Sequence, residues 1–300
     1  MSMSKTNNST AINKVKSFWN KNPCGSKYSS KKIKREYYQE IEQHRYDKIR
    51  SIKEMANFKN FNNKKILEIG CGVGTDGRQF TKNGAIYTGI NIDDNSTQHA
   101  ITNFDSFDLI GKFHTMNAEK LKLDDGIFDH VYSHGVIHHS PKTDLIVNEM
   151  FRVLVPGGTV NVMVYNKSSI NYYFEIMFLR KIFRNLLFIP KSPRIISKLT
   201  GFDYDLLIKH KNILTNRKLT HQEWISINTD GPDCPLAKVY TKKEAEQMFH
   251  NAGFVNVEQQ VRYFNKSHYS FVGKMIPNFV ADILGKWAGW HRWISASKPN

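Results

Sequence analysis

Glu68 closes a short run of β-formers (Lys65 to Ile69), and Gly70, Gly72 and Gly74 follow at alternate positions before Thr75 and Asp76. Glycines in this pattern permit a tight strand-to-helix turn and keep Cβ atoms away from an approaching ligand. Thr75 and Asp76 open a helical pattern with Arg78, Gln79 and Phe80. A helix N-terminus there offers free N–H groups and a partial positive charge. The stretch therefore reads as a nucleotide-type pocket with a fixed negative charge, Glu68, at its edge. Farther on, Asn91 and Asp93 end a second apolar run, where a ribose would be held. A carboxylate accepts from both ribose hydroxyls, whereas an amide accepts from one and donates to the other. Three imidazoles, His134, His138 and His139, fall within six residues of one another. Their ordinary pKa near neutrality suits proton transfer.

Two ligands compete for the glycine stretch. Gly72 to Gly77 spells G-x-G-x-x-G, with Asp93 about twenty residues on, which is the dinucleotide fingerprint. Glu68 to Gly74 spells E-x-G-x-G-x-G, in which an acid precedes the glycines. So close a carboxylate repels a pyrophosphate and attracts the ammonium of S-adenosylmethionine.

These residues need a frame, and the chain alternates strand and helix to supply one. The sequence predicts strands at Ile66–Ile69, Ile86–Ile92, Lys112–Met116, Phe128–Ser133 and Thr159–Tyr165, separated by helical patterns at Asp76–Lys82, Gln98–Phe104 and Thr143–Leu154. That rhythm means a parallel sheet with right-handed crossovers and a ligand site at the strands' carboxyl ends. Residues 1–62 read as a helical N-terminal lid segment, disordered over 1–10, with aromatics interleaved among lysines. Residues 63–166 are the cofactor-binding core, 167–240 an insertion over the active site, and 241–300 the part that completes the sheet.

Three hundred residues give room for one large domain with an insertion. The net charge of +16 is unevenly spread. Residues 1–65 hold 16 basic and 5 acidic side chains (+11), residues 66–165 hold 7 and 12 (−5), and residues 166–300 hold 20 and 10 (+10). An acidic core suits a cationic ligand; basic flanks suit an anionic substrate, nucleic acid or lipid. Cys24, Cys71 and Cys234 lack C-x-x-C spacing, and the polar N-terminus has no apolar leader, so a cytoplasmic location is expected and no metal.

Taken in order, E-I-G-C-G-V-G (68–74), N-A-E (117–119), D-G-I-F-D-H-V-Y-S-H-G-V-I-H-H-S-P (125–141) and R-V-L-V-P-G-G (152–158) resemble the class I S-adenosylmethionine-dependent methyltransferases. Within these they are similar to the small-molecule, methyltransferase-type-11-like branch. The N-terminal F-W-N-K-N-P-C-G (18–25) and C-terminal G-W-H-R-W (289–293) resemble a bacterial subgroup. The resemblance implies a Rossmann-like, doubly wound, mostly parallel seven-stranded sheet with an antiparallel last strand. It also implies S-adenosyl-L-methionine as cofactor. Glu68, Gly70, Gly72 and Gly74 would cradle its methionine and ribose portion, and Asn91 would meet the ribose. Ile92 would pack on adenine, Asn117 and Ala118 would read its edge, and Ser133 with Gly135 would line the sulfonium. Asn91 and Asn117 stand where the family usually has Asp. His138 and His139 are the candidate bases, ahead of His134.

The expected function is methyl transfer to a small acceptor, lipophilic or anionic in character. The alternatives are an NAD(P)-dependent oxidoreductase using Gly72–Gly77 and a non-catalytic nucleotide-binding subunit. Nucleic acid is disfavoured as a substrate, because the fourth strand is followed by His-Gly-Val-Ile-His-His and not by the Pro-Pro clamp of base-amine methyltransferases. The apolar, basic stretches Tyr172–Ile189 and Pro277–Trp293 fit packed helix faces, a hydrophobic acceptor, or loose contact with an anionic membrane surface. Tyr165 and Asn166 are placed either to touch substrate or to pack.

Overall fold

The computed structural model describes residues 2–216 and 218–300. The chain forms two compact units. The first runs through Val164 and takes in Lys243–Gln259 and Trp293–Asn300; the second comprises Tyr165–Lys242 and Gln260–Arg292.

The first unit begins with three helices, α1 (Ser2–Lys21), α2 (Arg35–Lys48) and α3 (Ser51–Ala56). Helix α1 extends back through the stretch expected to be disordered; no glycine or proline precedes Pro23, so nothing breaks its hydrogen bonding. The core then follows the expected alternation: β1 (Lys65–Ile69), α4 (Thr75–Lys82), β2 (Ile86–Asn91), α5 (Asp94–Asp105), β3 (Lys112–Thr115), β4 (Phe128–His134), α6 (Thr143–Val153) and β5 (Leu154–Tyr165).

In the second unit, a π-helical stretch (Asn171–Leu179) runs into α7 (Arg180–Leu186), followed by α8 (Ser192–Thr200), α9 (Tyr204–Asn216) and α10 (His221–Thr229). The chain's other elements, divided between the two units, are α11 (Lys242–Asn251), β6 (Val255–Arg262), α12 (Ser270–Met275), α13 (Asn278–Ala288) and β7 (His291–Ser297).

The seven strands lie in the order β3-β2-β1-β4-β5-β7-β6. Strands β1 to β5 are parallel to one another, and Glu68 stands level with Gly89 on β2 and Tyr132 on β4. Strand β7 runs the other way: the Gly157 N–H donates to the Lys298 carbonyl at the start of β5, and the Asn166 N–H donates to the Trp290 carbonyl just past its end. The sheet is therefore mixed, with its antiparallel strand inserted between β5 and β6. The chain order turns back at β1 and β4, and in such sheets the crevice at the carboxyl ends of that strand pair is the binding position.

Within the second unit, Tyr172, Ile176, Trp224, Ile225 and Trp290 form a core. Tyr165 stacks on Trp290 at 4.5 Å, and its hydroxyl donates to Asp230 at 2.9 Å. The Asn166 amide donates to the Gly289 carbonyl and accepts from Arg292. Of the two expectations for Tyr165 and Asn166, packing describes these contacts.

Candidate active site

The turn after β1 is built from groups that fix one another. Gly70 has φ +74°, and a Cβ there would collide with the Val136 side chain. Gly72 has φ +53°, again a left-handed conformation that a side chain would strain. Its N–H donates to the Asn91 Oδ1 at 2.8 Å, and the Asn91 amide donates back to the Gly72 carbonyl at 3.0 Å and to the Cys71 sulfur at 3.2 Å. Asn91 thus uses both halves of its amide on the loop. A carboxylate, which only accepts, could satisfy the Gly72 N–H and would face the Gly72 carbonyl with like charge. The departure from the family's usual acid has a structural reason that the sequence did not show.

Glu68 is buried, and Tyr87 donates its hydroxyl to it at 2.5 Å. Burial, and then the neighbouring Asp76 carboxylate, push the Glu68 carboxyl up to about 8, against the pull of the Tyr87 hydrogen bond. Asp76, in the first turn of α4, is itself held by three side chains. Arg45 on α2 donates to both of its oxygens, at 2.8 and 2.5 Å, and the hydroxyls of Tyr46 and Tyr132 each donate at 3.0 Å. A second ion pair between the same helices joins Glu42 to the fully buried Arg78, which also donates to Asn103 at 2.9 Å. Tyr37, Tyr38 and Ile41 of α2 complete the junction by packing on Val73.

A cavity opens beside this loop, entirely within the first unit. Glu68, Gly70, Gly72, Asn91, Ile92, Asn117, Ala118, Gly135 and His139 line it. Gly74, Ser133 and His138 do not. Gly74 packs on Ala100 of α5, and Ser133 donates its hydroxyl to the Ile69 carbonyl at 2.9 Å. His138 is fully buried, with its ring 4.4 Å from that of His139. The opposite wall comes from the N-terminal helices: Val15 and Trp19 of α1, with Ile41, His44 and Arg45 of α2. The Trp19 ring meets the His139 ring edge-on at 5.1 Å. Arg45 and Asp76 also line the cavity; neither carried a motif signal. Arg45 donates to His134 Nδ1 at 3.2 Å, and burial together with that guanidinium holds His134 well below its usual pKa. His134 is a neutral ring whose Nδ1 lone pair is engaged, so that nitrogen takes no proton from an acceptor.

Asp93 was the alternative ribose partner. It caps α5, accepting from the Ser96 N–H at 2.7 Å, and also lines the cavity. Asn117 accepts from the Glu119 N–H at 2.9 Å.

Residues 67–162 match the family model of the methyltransferase domain. This stretch is a class I S-adenosylmethionine-dependent methyltransferase domain of the type-11 branch. A sterol 24-C-methyltransferase of Neurospora crassa is 36% identical over 103 residues, which cover 33% of this chain and 27% of that protein. A 2-methyl-6-phytyl-1,4-hydroquinone methyltransferase of Synechocystis is 34% identical over 103 residues, covering 34% and 32%. The chain therefore spans less than a third of the length of these relatives, and the shared part is the methyltransferase domain. The solved Haloferax volcanii complex of the Trm112 methyltransferase activator with a methyltransferase contains a similar fold, with a TM-score of 0.53 at 14% identity, over 86% of this chain and 94% of that one.

The methyltransferase domain's residues fit the cofactor of its family. The glycine turn leaves backbone open beside the cavity, Glu68 offers a buried carboxyl group where the sequence suggested a fixed negative charge, and Asp93 offers a carboxyl near the β2 end. Ile92 beside Asn117 and Ala118 supplies an apolar and a polar surface for a purine.

Two substitutions check the loop. Asn91→Asp, although it installs the residue usual in the family, is expected to destabilise the protein by about 1–3 kcal/mol, because the Gly72 carbonyl and Cys71 lose their donor inside the fold. Chemical denaturation measures this. Glu68 carries a raised pKa, so its carboxyl stays protonated in the folded protein while the unfolded chain ionises it. Its stabilising contribution is complete below the unfolded value and is lost as pH rises through about 8. Wild-type stability relative to Glu68→Gln should therefore fall between about pH 5 and pH 8 in urea titrations.

Proposed function

We propose that the protein transfers a methyl group from S-adenosylmethionine to a small acceptor. The observation that carries this reading is the cavity itself, where a buried carboxyl group and a side-chain-free turn meet a wall of aromatic and apolar side chains. The cofactor, when bound, supplies an electrophilic methyl group on a positively charged sulfur. Glu68 and the Gly70–Gly72 turn bind its cationic methionine end. Asp93, Ile92, Asn117 and Ala118 bind the nucleoside, Asn91 acts at one remove by holding the Gly72 turn, and Gly135 lines the space beside them.

A displacement of this type gains most from alignment and from the exclusion of water, which Val15, Trp19 and Ile41 promote. His139, at the cavity wall, is placed to take a proton from an acceptor hydroxyl or ammonium. His138, behind it, positions the His139 ring. Gly74 and Ser133 act at one remove, by fixing the turn against α5 and the β4 end against β1.

A diphosphate beside Glu68 would meet a carboxyl group that can ionise only next to a cation, which weighs against the nicotinamide reading of Gly72–Gly77. A lipophilic acceptor is supported by two relatives whose names specify a sterol and a phytyl hydroquinone. Among the described residues no helix is long and apolar enough to cross a membrane, and no disulfide joins the three cysteines. The free, scattered cysteines support a place in the reducing cytoplasm.

Titration calorimetry with S-adenosylmethionine, its demethylated product and NAD tests the reading. Binding of the first two and not of NAD is expected, with affinity lost in Gly72→Val. His139→Asn should keep that affinity and lose at least about tenfold in labelled-methyl transfer. Preference for NAD would overturn the proposal.

A further inference from the structure

The second unit leaves a row of large apolar side chains in water. On α13, Phe279, Ile283 and Trp287 are 68%, 63% and 77% exposed and recur every fourth residue, so they share one face. Ala281 and Gly285 are buried on the other side, where a Cβ on Gly285 would press on the Tyr263 and Phe264 backbone. The helix is therefore packed inward by its small residues and presents its large ones outward. A second stripe repeats the pattern: Phe174, Phe178 and Ile182, again four apart, are 49%, 54% and 45% exposed. Phe174 stacks on Phe178 at 5.8 Å and on Tyr269 at 6.4 Å, which brings this stripe to the start of α12.

Charge accompanies the apolar surface. Residues 165–242 and 260–292 carry 18 basic and 7 acidic side chains, a net +11, and Asp282 is the sole acid in the latter segment. Lys274 and Lys286 are exposed on α12 and α13. Beside the second stripe, Lys181, Arg184, Lys218 and His221 line a cleft that has no carboxylate among its described wall residues. Arg184 also lies over the Trp224 ring at 5.7 Å, and the half-exposed Phe188 forms part of the same wall.

We propose that the second unit docks on an anionic phospholipid surface, with the two apolar stripes entering the headgroup–acyl boundary and the Lys181–Arg184 cleft receiving a lipid phosphate. An apolar stripe has no counterpart on nucleic acid, and a neutral partner has no use for the cations; an anionic bilayer complements both. The inference does not depend on the methyl-transfer reading, since its surface lies wholly outside the first unit.

Trp287 is a built-in probe. It is 77% exposed, while Trp224, Trp290 and Trp293 are buried. The full chain is mixed with vesicles of phosphatidylcholine alone, or with about 30% phosphatidylglycerol added. Co-sedimentation and a blue shift of Trp287 emission are expected with the anionic vesicles, and affinity at least about tenfold weaker with the neutral ones. The shift should vanish in Trp287→Phe. Ile283→Asp, which changes a solvent-facing residue and so leaves the circular dichroism unchanged, should abolish the shift. The double variant Lys181→Glu/Arg184→Glu should remove the preference for anionic lipid. No sedimentation with either vesicle, or equal binding to both, overturns the proposal. So does a vesicle-independent dimer in sedimentation velocity that Ile283→Asp dissociates, because the stripes would then cover a second copy of the chain.

Discussion

The pair between Arg45 and Asp76 is the constraint on which the candidate site depends. Asp76 is almost wholly buried, and a carboxylate there is tolerable only because a two-pronged guanidinium and two tyrosine hydroxyls saturate it. Those donors come from α2 and β4, so one charged residue at the start of α4 ties the N-terminal helices to the glycine turn. Such a pair contributes little net stability over a well-packed apolar contact. Its value lies in geometry, since α2 can sit in only one place without leaving a charge buried and unpaired. The second pair, Glu42 with Arg78, fixes the same two helices and leaves little freedom in their angle.

Several features of the cavity follow from this junction. The Asp76 charge helps to hold Glu68 protonated, so the site's electrostatics are set from beneath the loop. Arg45 reaches from the same pair to His134 and keeps that ring neutral. Val15, Trp19 and Ile41 then line the cavity from helices that a reading of the core alone would treat as an appendage. Asn91 turns back onto Gly72, giving up its polar atoms to the loop, and Asp93 at the cap of α5 is the carboxyl group left at the β2 end. The site is thus a folded loop and its supports, and each polar group serves the loop's shape before it serves a ligand.

Much of this was legible in the chain. The strand–helix rhythm from Lys65 to Tyr165 is local and periodic, and the elements fall within a few residues of where the pattern put them. The glycine turn and the histidine run were visible because their types and spacings are rare together. The rest was hidden for physical reasons. Arg45 and Asp76 are 31 residues apart and look like ordinary charges in amphipathic helices; only their burial makes them matter. Which of His138 and His139 faces the cavity depends on the orientation of the short 3-10 turn Ile137–His139, a matter of a single residue's rotation. Ser133 looked equivalent to Gly135, yet Ser133 lies inside β4, where its hydroxyl donates to the Ile69 carbonyl, and Gly135 lies just past the strand's end at the cavity. Only the first half of α1, up to residue 10, departs from the expectation of disorder, because polar composition alone does not forbid a helix.

If the N-terminal helices and the glycine turn form one site, hydrogen exchange should show them responding as one. On addition of S-adenosylmethionine, the amides of residues 35–48 and 70–78 should gain protection together, and Arg45→Met should uncouple them. Protection confined to 70–78, with 35–48 exchanging as before in the wild-type protein, would contradict the account.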